Sequence, residues 1–145
     1  MKRAHTITFS TFIKPEEDEP AITKRFLSLI PLDLEQEKIP LQRTISTGFN
    51  ERKILILKLK LTKERHTNAF LDFLNEKLSG AQQQQLREQE DRVDDHCHFY
   101  LRFQKQHLPK LVFTDKGDCI HCKISLAAFP KKRDIALRIV KEIFK

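Results

Sequence analysis

The chain has 145 residues, of which 39% are apolar, 32% are charged and only three are glycine. This composition is typical of a globular domain with a hydrophobic core, expected here as a single domain over residues 1–145, and excludes a disordered or fibrous chain. The 27 Lys and Arg residues outnumber the 20 Asp and Glu residues, and the net charge of +7 favours polyanionic partners, with nucleic acid ahead of an anionic membrane surface.

The first third of the chain predicts a strand, a helix and a second strand. Residues 4–13 alternate between apolar and polar side chains, which is the pattern of a half-buried strand. The acidic residues 16–19 and Pro20 predict a helix start, because carboxylates complement the helix dipole and proline suits the first turn. Pro31 ends this helix, and a second strand is expected over about 37–47.

The middle of the chain predicts the clearest strand, followed by two helices. Leucine occupies every second position from Leu55 to Leu61, which indicates a strand with one apolar face. A helix is expected over about 67–78, with Gly80 as its C-terminal cap. Residues 81–92 predict a polar helix that is largely solvated.

The last third predicts three strands and a final helix. One strand is expected from Cys97, a short one over 110–114, a hairpin turn at 115–118 and a third strand around Ile120. A final helix is expected after Pro130. The predicted order, β-α-β-β-α-α-β-β-β-α, indicates an α+β fold in which helices cover one face of a mostly antiparallel sheet.

The outward faces of these strands carry side chains suited to RNA. If helices cover one face of the sheet, the other face is open. Lysine and arginine neutralise phosphates, while tyrosine and histidine stack on unpaired bases. The alternative, that the outward residues are polar only because water is there, stays open. These residues are Lys58, Lys60, Tyr100, Arg102, His121 and Lys123.

The start of the last helix carries three consecutive cations. Lys131, Lys132 and Arg133 follow Pro130 directly. Cations at a helix N-terminus cost roughly 0.3–1 kcal/mol each, so stability alone would not select them. With the free backbone N–H groups of the helix they form a good phosphate site. A solvated run of charge is the alternative.

Cysteines and histidines raise the question of zinc. The segments 96–98 and 119–122 both contain thiol and imidazole groups. Residues three apart in a strand point to opposite faces and lie about 10 Å apart, which disfavours a shared metal. Cys122 also falls in an apolar register, where a buried free thiol is common. No metal and no cofactor is expected, while zinc at Cys97, Cys119 and Cys122 stays an open alternative.

Motifs of catalysis are absent from the sequence, which has no P-loop, no G-x-G-x-x-G, no G-x-S-x-G and no H-E-x-x-H. Asp94 and Asp95 beside His96 could form part of a metal-dependent nuclease. No clear second carboxylate cluster accompanies them to complete a two-metal site. We therefore expect that the protein is not an enzyme.

The protein is expected to stay in the cytoplasm and off the membrane. No segment approaches the run of about 20 apolar residues that a membrane span needs. The basic N-terminus leads into alternating residues rather than a signal-peptide core. Three cysteines, an odd number, fit reduced thiols better than a disulfide framework.

Five segments together suggest a family. Residues 93–95, 99–106 and 128–133 read Val-Asp-Asp, Phe-Tyr-Leu-Arg-Phe-Gln-Lys-Gln and Ala-Phe-Pro-Lys-Lys-Arg, and two further segments are 5–12 and 17–19. In this order they resemble a family of small archaeal RNA-binding proteins, over essentially the whole chain. That family is described as a predicted exosome subunit with the α+β fold of the ribosomal protein that contacts 5S RNA. The resemblance implies this fold and RNA binding.

The resemblance also implies candidate RNA contacts at Arg102, Lys105, Gln106, Lys132 and Arg133. The sequence departs from the family pattern at two places. Gln104 stands where an acidic residue is expected, which weakens a catalytic role there. Residues 96–98 replace a glycine-containing turn, so a zinc site there would be particular to this chain.

The sequence therefore predicts a non-catalytic RNA-binding protein, accessory to RNA processing or to ribosome-related work. Structured and single-stranded RNA are both open as targets, proteins of an RNA-processing complex are further partners, and exposed strand edges leave a homodimer open. A metal-dependent RNA-processing enzyme and a protein-interaction adaptor are the alternatives. The candidate RNA contacts are Lys58, Lys60, Tyr100, Arg102, Lys105, Gln106, Lys123, Lys131, Lys132 and Arg133.

Overall fold

The computed structural model describes residues 2–115 and 117–145, with Phe49 described by its backbone alone. The strands of the described chain are β1 (Ala4–Ile13), β2 (Gln42–Thr47), β3 (Lys53–Leu61), β4 (His98–Phe103) and β5 (Ile120–Leu126). Its α-helices are α1 (Glu19–Leu27), α2 (Glu64–Lys77), α3 (Gly80–Glu88) and α4 (Arg133–Ile143). The strands form one sheet in the order β2-β3-β1-β5-β4, with β2 antiparallel to β3. This architecture confirms the predicted α+β class.

The described residues pack into two compact units. The three-helix unit holds α2, α3 and α4 and comprises the chain up to Ile7, Leu61–Leu101 and Lys123–Lys145. The one-helix unit holds α1 and comprises Thr8–Lys60 and Arg102–Cys122. The prediction of one domain over 1–145 stays a prediction, as does the likeness to a ribosomal protein.

Buried and solvent-facing side chains alternate along the strands. In β5 every second residue from Ile120 to Leu126 is buried. In β3, Leu57 and Leu59 are at most 1% exposed, while Lys58 and Lys60 between and beside them are exposed. We call the solvent-facing side of a strand, opposite its buried residues, the open face. The alternation of apolar and polar residues in the sequence predicted this division.

The helices bury apolar stripes of their own. In the one-helix unit, α1 buries Ile22 and Phe26. In the three-helix unit, α2 buries Phe70 and Leu74 among others, and α4 buries Val140. Fully burying a side chain of this size contributes about 1.5–3 kcal/mol, so these stripes hold the helices in place. None of the described helices has the length and apolar character that crossing a membrane requires.

Two helix starts show how the sequence sets local structure. Asp18 caps α1 by accepting a hydrogen bond from the amide of Ala21, and proline occupies the first turn as predicted. Gly80 was predicted to end α2, and this is wrong: α2 ends at Lys77 and Gly80 opens α3. The reason is a capping box, in which the side chains of Ser79 and Gln82 each bond the other's backbone amide.

Two predicted strands differ from the structure. The second strand begins at Gln42 rather than near 37, because the chain turns there: Lys38 has a φ of 57° and the Ile39 amide bonds Leu34 O. Residues 110–114 form no strand and make only a bridge between Phe113 and Phe103.

The final helix, predicted after Pro130, begins at Arg133. The hairpin predicted at 115–118 includes Lys116, which lies outside the described residues.

Candidate nucleic-acid interface

Three of the predicted RNA contacts lie on strands of the one-helix unit. Lys58 and Lys60 project from β3 and Arg102 from β4, and all three are exposed. Within the described part of the chain none of the three side chains makes a hydrogen bond or an ion pair. Lys58 and Lys60 share one face, about 7 Å apart along the strand. Their ammonium groups are therefore accessible to an anionic chain.

Lys105 lies in the same unit but in a different environment. It is 1% exposed, and its ammonium donates to Phe12 O at 2.8 Å and Glu17 Oε1 at 2.9 Å and contacts Asp118 Oδ1 at 2.7 Å. A direct contact to RNA needs an accessible group, and this one is enclosed by its own counter-ions. Through these contacts Lys105 links three segments of the unit.

Further polar contacts surround the Lys105 ammonium. Lys14 Nζ donates to Asp118 Oδ2 at 2.8 Å. Burial of the Asp118 carboxyl by itself would raise its pKa, but the hydrogen bonds from Lys105 and Lys14 outweigh burial and lower it. Gln106 is exposed, yet its amide oxygen accepts from Arg25 at 3.0 Å. We call Lys14, Glu17, Lys105 and Asp118 the Lys105 cluster.

Two exposed arginines of this unit are instead neutralised by carboxylates. Arg43 pairs with Glu19, and Arg52 pairs with Glu16. These pairs contrast with Lys58, Lys60 and Arg102. The difference separates cations that are paired within the protein from cations that make no such pair among the described residues.

In the three-helix unit, Asp94 organises the turn before β4. Its Oδ1 accepts from the amides of His96 and His98, both at 2.9 Å, and its Oδ2 accepts from the Tyr100 hydroxyl at 2.9 Å. Burial would raise the pKa of Asp94, but these hydrogen bonds stabilise the carboxylate and lower the pKa to about 2. Burial and the bond to Asp94 raise the pKa of Tyr100. Both groups are fixed, and the ring of Tyr100 stays half-exposed.

The cations before α4 divide into two kinds. Lys131 and Lys132 are exposed and make no side-chain hydrogen bond or ion pair within the described residues. Arg133 turns back, and its guanidinium donates to Val93 O at 3.0 Å and Glu90 O at 2.6 Å. Lys132 is the N-cap residue of α4 and Arg133 is its first residue, so two of the three cations lie at the helix N-terminus and Lys131 directly precedes them.

Lys123 is the remaining predicted contact. It lies half-buried on the open side of β5, in the same unit as Tyr100. No hydrogen bond or ion pair of its side chain occurs within the described residues.

The cysteines are free thiols in the interior. Cys97, Cys119 and Cys122 are all buried, and burial raises the pKa of both Cys119 and Cys122, which disfavours the thiolate that a metal or redox site needs. The described residues contain no group of three His, Cys, Asp or Glu side chains arranged to hold a metal. Cys97 has a φ of 65°, the left-handed region that favours glycine.

Two exposed aromatic rings were missed by the sequence analysis. Phe12 is 53% exposed on β1, and Phe129 is 94% exposed ahead of α4. Phe12 could have been found, because it falls in the same register as Thr8 and Ser10, which lie opposite the buried residues of β1. No comparable pattern marks Phe129, which lies outside any strand or helix.

Comparison with known proteins gives a consistent set of relatives. A family described as RNA binding matches residues 6–126. An RNA-binding protein of Pyrococcus abyssi is 29% identical over 143 residues, which cover 97% of this chain and 93% of that protein. A DUF54 protein of Methanothermobacter thermautotrophicus superimposes with a TM-score of 0.79 at 26% identity, with 99% of each chain covered. A DUF54 protein of Sulfolobus solfataricus, 23% identical, shares the fold with a TM-score of 0.75 over 95% of this chain and 96% of that one.

Proposed function

This chain belongs to the RNA-binding family, and we propose that it binds RNA itself, without cleaving it, through cations on the open sides of its strands and directly before α4. The observation that carries the proposal is the division between paired and unpaired cations. Exposed arginines such as Arg43 and Arg52 are neutralised by the protein's own carboxylates. Lys58 and Lys60 are exposed and make no such pair within the described residues. Unpaired cations on an uncovered surface are suited to phosphates.

The proposed contacts follow from where each side chain lies. In the one-helix unit, Lys58, Lys60 and Arg102 bind phosphates. In the three-helix unit, Lys123, Lys131 and Lys132 do the same, and the half-exposed ring of Tyr100 is placed for stacking. Gln106 contributes at most an amide that is already engaged with Arg25. Lys105 is left out because its ammonium is buried among its own counter-ions, and Arg133 because its guanidinium is engaged with two backbone carbonyls.

Binding without cleavage is supported by the state of Asp94, the acidic residue that a metal-dependent nuclease would use. Both of its oxygens accept hydrogen bonds from its own turn and from Tyr100. Its neighbour His98 contacts the same carboxylate at 3.3 Å. The carboxylate therefore acts as a structural acceptor that fixes a turn.

A narrower proposal is a role as an accessory to RNA processing, in the cytoplasm and beside proteins of a complex such as the exosome. It rests on the sequence resemblance and on RNA binding, not on a separate surface. Co-purification of processing proteins with a tagged chain, abolished by ribonuclease treatment, would support contact through shared RNA. Retention after ribonuclease treatment would favour the adaptor alternative.

The proposal is tested by fluorescence anisotropy with labelled single-stranded and structured RNA, with and without magnesium. Replacing Lys58 and Lys60 together by alanine is expected to weaken binding about tenfold, corresponding to about 1.4 kcal/mol. The matched control replaces Lys77 and Lys141, two exposed lysines on helices, and lowers the net charge equally.

Equal losses of affinity in the two double variants would mean that only net charge matters, which contradicts the assigned surface. RNA that is cut when magnesium is added would contradict binding without cleavage.

A further inference from the structure

We infer that the hollow beside Phe12 receives an unpaired nucleobase of the bound RNA, stacked on the exposed face of the phenyl ring. The hollow has a volume of about 390 Å³ and is lined by Phe12, Lys14, Arg52, Ile54, Gly117 and Asp118. All six residues belong to the one-helix unit. The inference rests on the proposed function and adds a specific recognition site to it.

The hollow combines aromatic and apolar walls on a surface open to solvent. Phe12 is 53% exposed, and Ile54 on β3 is half-buried beside the hollow. An aromatic ring that is exposed to water lacks the favourable free energy of burial. A base stacked on the ring would bury it. The volume lies at the small end of the range of about 300–1,000 Å³ that binds small organic groups. A base with its sugar is a group of this size class.

The charges around the hollow favour a neutral planar group over a phosphate. Lys14 pairs with Asp118, and Arg52 pairs with Glu16, so the cations at the rim are already neutralised. The unpaired cations on the same side of β3 as Ile54 lie farther along the strand, where Lys58 is four residues from Ile54, about 13 Å away. A neutral hollow next to a row of cations matches a base followed by its phosphate backbone.

The Lys105 cluster fixes the walls of this hollow. The buried ammonium of Lys105 bonds the carbonyl of Phe12 and contacts the carboxylate of Asp118, two residues that line the hollow. It thereby ties the end of β1 to the segment before β5. Lys105 is thus a positioning residue, which explains a lysine at a place where it cannot touch RNA.

The test uses single-stranded RNA that contains 2-aminopurine, whose fluorescence is quenched on stacking. Wild-type protein is expected to change this fluorescence. Phe12→Ala is expected to abolish the change and to weaken binding at least about fivefold, the low end of what one stacked base contributes. Its salt dependence stays that of wild type, since no cation is removed. Phe12→Trp is expected to retain binding, and Ile45→Ala, another exposed apolar residue of the same unit, is the control.

The outcomes separate this inference from the proposed function. Wild-type protein that binds no RNA at low salt overturns both. RNA binding that is equal in wild type and Phe12→Ala overturns the base site alone, as does an equal loss of affinity in Ile45→Ala. Tighter binding of fully paired than of unpaired RNA also overturns it, because a paired base cannot enter the hollow.

Discussion

Replacing Lys105 with methionine removes one buried charge and keeps most of the apolar stem. The ammonium lies 2.9 Å from Glu17 Oε1 and 2.7 Å from Asp118 Oδ1. Removing one partner of a buried ion pair costs about 3–5 kcal/mol, because the other charge is left without compensation. The side chain of Glu17 is 13% exposed, but that of Asp118 is 45% exposed and keeps Lys14, so solvent screens part of the cost. We expect a decrease of about 2–4 kcal/mol in the free energy of unfolding.

The decrease in the free energy of unfolding caused by Lys105→Met depends on pH. The pKa of Asp118 in the folded protein is lowered from its ordinary value of 3.8. A lowered carboxyl pKa contributes stability that is present above the ordinary value and is lost as pH falls through the folded value. Methionine at position 105 removes part of this contribution. The difference in the free energy of unfolding between wild type and variant is therefore largest near pH 7 and becomes smaller below about pH 4.

Urea unfolding monitored by circular dichroism at pH 7 and at pH 3.5 measures both effects. Lys58→Met is the control, because that lysine is exposed and makes no ion pair within the described residues, and it is expected to stay within about 0.5 kcal/mol of wild type. The structural role of Lys105 is refuted if Lys105→Met is as stable as wild type at pH 7. It is also refuted if the salt dependence of RNA binding by the folded variant becomes shallower by about 0.7, as it would if Lys105 neutralised a phosphate directly.

Two further predictions concern the three-helix unit. Arg133→Ala should lower the free energy of unfolding by about 1–2 kcal/mol, since it removes charged hydrogen bonds to Val93 O and Glu90 O. Lys132→Ala should leave the free energy of unfolding within about 0.5 kcal/mol of wild type and weaken RNA binding. Equal melting curves for the two variants would contradict this division. Asp94→Asn should lower the free energy of unfolding by about 1–2 kcal/mol above pH 4, where the carboxylate contributes fully. This cost should shrink as pH falls below 4 and through the folded pKa of about 2. A cost in urea unfolding that is the same at pH 7 and pH 2.5 would show that ionisation of Asp94 contributes nothing.

Alternation along the strands made much of the fold and part of the interface predictable. Residues 4–13 and the leucine series of β3 each gave a strand whose two faces the structure separates into buried and open sides. The outward position of Lys58 and Lys60 followed from the same period, because successive side chains of a strand point to opposite faces. Local caps were predictable where proline and carboxylates signal a helix start, as at α1.

Contacts between distant residues were not predictable from local patterns. Lys105 donates a hydrogen bond to Glu17, which lies 88 positions away in the sequence, and Arg133 donates one to Val93, which lies 40 positions away. In the sequence both look like exposed cations next to other polar residues, and nothing local distinguishes them from Lys58 or Lys132. Only the folded structure shows which cations bond other groups within the protein.

The most direct test of RNA binding through unpaired cations is the slope of log affinity against log salt concentration for single-stranded RNA. It is measured for wild type and for the variant in which Lys58 and Lys60 are both alanine. We predict a negative slope for wild type that becomes shallower by about 1.4 in the variant, at about 0.7 for each phosphate that the variant no longer neutralises. No binding by wild type at low salt, or an identical slope in the two proteins, would contradict RNA binding through these lysines.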